Sequence, residues 1–89
     1  MLRITVEDFP QCATLKLEGQ LKGPWVDETE KTWRNSKRRV AVLDLRDVTS
    51  IDARGKKLLA DMHQGGVELV ADAPMMKYVV EEATGKHSQ

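Results

Sequence analysis

The sequence is short of several residue types, and each shortage excludes a class of protein or site. Cys12 is the one cysteine among its 89 residues, so an internal disulfide and every multi-cysteine zinc site are excluded. One Phe, one Tyr and two Trp are too few for the aromatic platforms on which nucleic-acid bases usually stack. No apolar stretch approaches the roughly 18 residues of a membrane-spanning helix, so direct membrane insertion is not expected.

Net charge is also lacking. Fourteen basic residues balance fourteen acidic ones, which leaves no overall field to attract nucleic acid or an anionic membrane. Basic residues do cluster between positions 34 and 57, but acids interleave with them, so we predict a solvated surface of mixed charge and no nucleic-acid partner. The first residues show no charged segment followed by an apolar run. Together with the lone cysteine, this predicts a cytoplasmic protein.

What the sequence does contain is a globular composition, 40% hydrophobic and 31% charged, arranged with clear periodicities. Apolar residues occupy every second position over residues 2–6 and again over residues 13–17, which predicts two strands with one face on the core. The polar segment between them contains Pro10, which favours a turn. The two strands are therefore predicted to form a β-hairpin.

A Gly-Pro break after the second strand predicts a helix over residues 25–36. Acidic residues near its start suit the positive end of the helix dipole. Val26 and Trp33, seven positions apart, would share its inward face, and Thr29 between them weakens that apolar stripe. Trp25 and Trp33 are expected to pack between helix and sheet, with an exposed Trp25 as an alternative interface anchor.

The continuous apolar run over residues 40–43 predicts a central strand covered on both faces, because neither face carries polar side chains. Asp52 or a neighbour is predicted to cap the next helix. Three side chains at helical spacing form that helix's buried stripe, namely Leu58, Leu59 and Met62. The glycine pair at positions 65 and 66 ends this helix.

A fourth strand is predicted over residues 67–71, followed by a third helix that starts at Pro74 and stops at Gly85. Its apolar stripe comprises Met75, Met76, Val79, Val80 and Ala83, which we interpret as core, with contact to a partner as the alternative for the two methionines. Residues 1–85 then form a single domain, and residues 86–89 form a flexible polar tail.

The predicted order is β-β-α-β-α-β-α, an α/β fold with a mixed four-stranded sheet and three helices. Helical crossovers imply mainly parallel pairing, and the opening hairpin supplies one antiparallel neighbour. Ligands and partners of such sheets tend to bind beyond the carboxyl ends of the parallel strands. This rule places function within residues 46–55.

Residues 42–55, Val-Leu-Asp-Leu-Arg-Asp-Val-Thr-Ser-Ile-Asp-Ala-Arg-Gly, resemble the signature of the STAS family, named for sulfate transporters and anti-sigma factor antagonists. The Asp-Leu, Val-Thr, Ile-Asp and Gly positions agree with the family pattern, and similarity continues through residues 65–70 and 74–85. The resemblance implies a STAS-like (SpoIIaa-like) fold. It also implies a non-enzymatic protein-protein interaction module without a cofactor.

Two positions depart from that pattern. Ala53 stands where relatives carry the serine or threonine that is phosphorylated, so the phosphorylation switch is expected to be lost. Lys56 replaces an apolar residue, and with Arg54 and Lys57 it makes the first turn of the helix basic. That is unfavourable at the positive helix end, so either an acidic partner or ordinary solvated lysines accounts for it.

The resemblance thus predicts a partner-binding surface within residues 49–57, comprising Thr49, Ser50, Asp52, Ala53, Arg54, Gly55, Lys56 and Lys57. The expected partner is an anti-sigma factor of the kinase-like type. The alternative is a transporter ATPase, with the chain as a cytoplasmic structural subunit of an ABC-type membrane transport assembly. If residues 67–71 form a sheet edge, a homodimer through that strand is a further possibility.

Metal binding, a reactive cysteine, an acidic pocket and nucleotide binding have weaker support in the sequence. His63 and His87 have no acid at a zinc-type spacing, so no metal site is predicted, and Cys12 has no visible base and is expected to be a small, buried or half-buried residue. Asp44, Asp47 and Asp52 could form a receiver-like acidic pocket, but hydrogen bonds to local backbone are the favoured interpretation. No phosphate-binding glycine loop is present, so nucleotide binding is not expected.

Overall fold

The computed structural model describes residues 1–85 and contains four strands and three helices. Their order, β-β-α-β-α-β-α, confirms the order predicted from the sequence. The predicted tail, residues 86–89 with His87, lies outside the described residues. The elements are β1 Leu2–Asp8, β2 Ala13–Leu21, α1 Pro24–Arg34, β3 Val40–Ile51, α2 Ala53–Gln64, β4 Glu68–Val70 and α3 Pro74–Thr84.

The strands form one mixed sheet in the spatial order β1-β2-β3-β4. β1 pairs with β2 in antiparallel fashion, whereas β3 runs parallel to both β2 and β4. The hairpin and the parallel crossovers predicted from the sequence are therefore confirmed. β2 and β3 are the two interior strands, and β1 and β4 are the edges.

The helices cover one face of this sheet only. Along β2, every second side chain is buried, beginning with Ala13, Leu15 and Leu17, while the intervening polar side chains are partly exposed. α2 contacts both other helices, so the three lie side by side as one layer. The prediction that β3 is covered on both faces was wrong, since Val42 lies half-buried on the open face. A medium-sized apolar side chain in an interior strand is shielded there by its neighbours.

Thr29 belongs to the core, contrary to its interpretation as a weak point of the stripe of α1. Its side chain is fully buried, and its hydroxyl donates a hydrogen bond of 2.9 Å to the carbonyl oxygen of Trp25, one turn earlier. Val26 is buried beside it, while Trp25 and Trp33 are half-buried against the core. An internal hydrogen bond removes most of the cost of burying a hydroxyl.

The stripe of α3 is narrower than predicted. Met76 and Val79 are buried, and Val80 and Ala83 pack partly against the core. Met75, however, is 49% exposed, so its interpretation as a core residue was wrong. It lies in the first helical turn, at the margin of the stripe. In the part of the chain that the structure describes, each helix is too short or too polar to cross a bilayer.

Candidate functional site

Asp52 holds the junction of β3 and α2 by three hydrogen bonds. One carboxylate oxygen accepts the backbone N–H of Gly55 at 2.8 Å, which caps α2 as predicted, and the other accepts the N–H of Gly23 at 2.9 Å. Its own N–H donates to the carbonyl oxygen of Leu21 at 3.3 Å. One residue thus ties the carboxyl ends of the parallel strands β2 and β3 together. We call residues 49–57 the β3–α2 corner.

Gly55 makes this close approach possible. A Cβ atom at this position would lie 2.6 Å from Cγ1 of Ile51 and 2.8 Å from the carbonyl oxygen of Leu21. Both distances are too short for any side chain, so glycine is required by packing. Because Gly55 is buried, it positions the corner and offers no surface of its own to a partner.

Thr49 and Ser50 belong to β3, which runs to Ile51 and so extends well beyond the apolar run of residues 40–43 that predicted this strand. Thr49 is exposed, and its hydroxyl donates to the carbonyl oxygen of Gly19 on β2 at 3.2 Å. Ser50 is half-buried, and its hydroxyl oxygen is covered without a hydrogen-bond partner among residues 1–85.

The cations of the first turn of α2 differ in their surroundings. Arg54 forms an ion pair with Asp27, which joins α2 to α1, and Lys57 lies 3.9 Å from Asp61 one turn further along α2. Lys56 is exposed and forms no ion pair within the part of the chain that the structure describes. Of these three cations, Lys56 is the one whose charge remains uncompensated inside the chain.

Ala53 is the first residue of α2 and is exposed. Its methyl group therefore lies on the surface at the helix N-terminus, where the peptide dipole favours negative charge. No acid lies in the first turn of α2, so the Asp52 carboxylate is the nearest acidic group along the chain to this helix end. Phosphate on a hydroxyl at position 53 would add charge at this exposed point.

Asp44 within β3 and Asp52 just after it have separate structural roles. The backbone N–H groups of Gly23 and Gly55 donate to Asp52 and lower its pKa. The Arg46 guanidinium, hydrogen-bonded to Asp44 at 2.9 and 3.0 Å, lowers the pKa of Asp44 although burial opposes this. Asp44 also accepts the N–H of Arg46, so both carboxylates bond to local backbone as predicted.

Sequence reasoning missed the contribution of β2 to this site. Gly23 donates to Asp52, and Lys22 beside it is exposed at the same end of the sheet. The signal was available, because the carboxyl ends of two adjacent parallel strands must meet at one edge of the sheet. From the sequence, the Gly-Pro break at positions 23 and 24 indicates only the start of a helix.

Among residues 1–85, no three His, Cys, Asp or Glu side chains are grouped so that they could hold a metal ion. Cys12 is a free, half-buried cysteine next to the start of β2, in line with the prediction of a small, partly buried residue.

This arrangement of strands and helices is similar to that of solved structures. An anti-sigma factor antagonist from Mycobacterium paratuberculosis matches 97% of this chain and 80% of its own, with a TM-score of 0.73 and 21% identity. The chain has a STAS-like fold. An uncharacterised Shewanella loihica protein with a SpoIIAA-like fold agrees, with a TM-score of 0.54 and 13% identity over 96% of this chain and 79% of its own.

The STAS-like fold also matches part of a larger protein. The crystal structure of Mglu is similar over 79% of this chain and 19% of that chain, with a TM-score of 0.61 and 25% identity. No protein-family model matches the sequence, and no curated protein is significantly similar to it. The solved structures therefore support the fold that the residue pattern indicated.

Proposed function

We propose that this chain is a non-enzymatic protein-binding module that docks a regulatory protein at the β3–α2 corner and works without a cofactor. The observation that carries the proposal is the junction at Asp52, which fixes a strand end and a helix start rigidly while Ala53 and Lys56 stay exposed. A surface that is already ordered loses little conformational entropy on binding. Such a corner is suited to recognition, and it needs no reacting group.

The partner we propose is an anti-sigma factor of the kinase-like type, which this chain binds in the cytoplasm. The Mycobacterium paratuberculosis structure with the same fold is that of an anti-sigma factor antagonist, which supports this class of partner. Lys56, whose charge is uncompensated, and the exposed Lys22 favour an acidic patch on the partner. We propose no role for Arg54 in attracting that patch, because Asp27 already pairs with it.

Docking at this corner is proposed to be independent of phosphorylation. Ala53 offers no hydroxyl, and the hydroxyl oxygen of the neighbouring Ser50 is covered. Thr49 is exposed, but its hydroxyl is engaged with the carbonyl oxygen of Gly19. The corner therefore stays in the unmodified state, which in the resembled family is the one that binds.

The phosphorylation test uses the purified chain with a kinase-like anti-sigma factor and ATP. We expect no mass increase in the wild-type chain, and one phosphate in the Ala53→Ser variant, which restores an exposed hydroxyl at the helix start. Phosphate found on the wild-type chain at residues 49–57 would refute the claim of independence. If the kinase modifies another substrate but leaves the serine variant unchanged, the absence of a hydroxyl at Ala53 is not what keeps the corner unmodified, and that explanation is refuted.

The docking test compares two exposed lysines by charge reversal. Lys56→Glu should weaken binding to the anti-sigma factor about tenfold, since it changes an attraction to a repulsion near an acidic patch. Lys77→Glu, an exposed lysine of α3, is the matched control and should leave affinity unchanged. Equal effects of the two variants, or specific co-purification with a transport ATPase in place of the anti-sigma factor, would contradict this assignment.

A further inference from the structure

β1 is a long sheet edge whose protection is limited to charged side chains. Its seven residues pair with β2 in an unbroken register from Leu2 to Asp8, so no β-bulge interrupts it. It contains neither proline nor lysine, two residues that commonly guard such edges. No other strand lies beside it within the described sheet, and its hydrogen-bonding groups on that side are open to a further strand.

The hydrogen bonds at the two ends of the hairpin show which backbone groups of β1 point away from β2. Gln20 N–H donates to Met1 O at 3.0 Å, and Phe9 N–H donates to Cys12 O at 2.8 Å. Antiparallel pairing alternates residue by residue, so odd-numbered residues of β1 direct their backbone groups to β2. The even-numbered residues Leu2, Ile4, Val6 and Asp8 therefore direct their N–H and C=O groups to the free edge.

The other edge is less suited to self-association. β4 has three residues, Glu68–Val70, and so offers fewer than half the backbone groups of β1. Glu68 is exposed on it, and a charged side chain within so short an edge strand opposes pairing with another strand. The sequence-based expectation of a homodimer through residues 67–71 is thus less well supported than an edge that sequence reasoning did not consider.

We propose that a second copy of this chain adds to β1 in antiparallel orientation, with the two-fold axis at Thr5. This register sets Ile4 opposite Val6 of the second copy, so the outward backbone groups of the even-numbered residues meet. Up to about eight main-chain hydrogen bonds then close the edge. The two four-stranded sheets become one continuous sheet of eight strands with a helix layer on one face of each half.

Side-chain chemistry selects this register. Arg3 comes opposite Glu7 of the second copy, and by symmetry this pair forms twice, in the non-hydrogen-bonded positions where side chains are closest. Both residues are exposed, and neither forms an ion pair within residues 1–85. On the helix side, Val6 is 42% exposed and Ile4 is partly exposed, and each gains an apolar neighbour.

Sedimentation across a micromolar to millimolar series tests the proposal. The wild-type mass should rise from 10.0 kDa toward twice that value. Arg3→Glu or Glu7→Arg alone should weaken association about tenfold, or about 1.4 kcal/mol, because each places like charges opposite one another. The double variant with both charges exchanged should regain wild-type association. A monomer throughout the series, or a double variant as weak as the singles, would overturn the proposal.

A cysteine scan in a Cys12→Ser background tests the axis independently. Thr5→Cys should form a disulfide-linked dimer with dioxygen as oxidant, because residue 5 faces its own copy at about 5 Å between Cβ atoms. Arg3→Cys should form no disulfide-linked dimer, since its copies are about 13 Å apart in this register. Cross-linking through Leu69→Cys on β4 in place of Thr5→Cys would assign the dimer to the other edge and refute our register. Thermal unfolding of each variant verifies that it is folded.

Discussion

Single residues decide how the β3–α2 corner is built, and Gly55 shows this most sharply. It is not needed for a left-handed turn, since it lies within a regular helix. It is needed because Leu21 and Ile51 leave no space for a Cβ atom. The family-like Gly at this position is therefore explained by contact distance, and the proposed docking surface depends on it indirectly.

Replacement of this glycine should disrupt the corner. Gly55→Ala forces a methyl group against the backbone oxygen of Leu21, which cannot move without shifting β2, so we expect a loss of about 1–3 kcal/mol in the free energy of unfolding. Urea denaturation measures it. Ala53→Ser, a surface change two residues away, is the control and should stay within about 0.5 kcal/mol. An unchanged midpoint for Gly55→Ala would disprove the packing argument.

At the scale of elements, α3 illustrates how an amphipathic helix is oriented. Met75 and Met76 are adjacent and chemically identical, yet one is 49% exposed and the other is fully buried. Their positions differ by about 100° around the helix axis, so packing against α2 and the sheet selects one of them. Apolar identity alone did not distinguish the two.

The two methionines form a matched pair for measurement. Met76→Ala should lower the free energy of unfolding by about 2–5 kcal/mol, because it removes a fully buried side chain and leaves a cavity. Met75→Ala should change it by no more than about 0.5 kcal/mol. Thermal or urea unfolding of both variants compares them directly, and equal losses would show that Met75 packs in the core after all.

At the scale of the whole molecule, two carboxylates link the fold to pH. Asp44 is held ionised by hydrogen bonds from Arg46, and Asp52 by backbone N–H groups of Gly23 and Gly55, so both pKa values lie below the ordinary value of 3.8. A lowered pKa in the folded state means that ionisation favours folding. This contribution is present above about pH 4 and is lost as the pH falls through the folded-state pKa values.

We therefore expect the urea midpoint to be steady from about pH 7 to pH 5 and to fall below about pH 4. A variant with both Asp44→Asn and Asp52→Asn should be less stable at pH 7, where it lacks the two anions. Its midpoint should also depend less on pH between pH 5 and pH 3. If the urea midpoint of the double variant depends on pH as strongly as that of the wild-type chain, other carboxylates cause the loss of stability in acid.

Many features of this protein can be predicted from its sequence alone. The order of elements, the Asp52 cap and the buried face of α2 follow from local periodicity and capping chemistry, which need only neighbouring residues. The STAS-like fold was indicated by the pattern over residues 42–55, which spans β3 and the first turn of α2, and by similarity over residues 65–70 and 74–85. These features rest on interactions between residues close in the chain, so a linear reading reaches them.

Tertiary structure alone decided the rest. The relative placement of whole elements determines which face of the sheet is covered. It also determines which methionine of α3 is buried and which edge strand is longer. The same holds for the bond between Gly23 and Asp52, 29 residues apart, and for the ion pair of Arg54 with Asp27. Burial and long-range pairing are properties of the packed layers, because only packing decides which side chains lose contact with water.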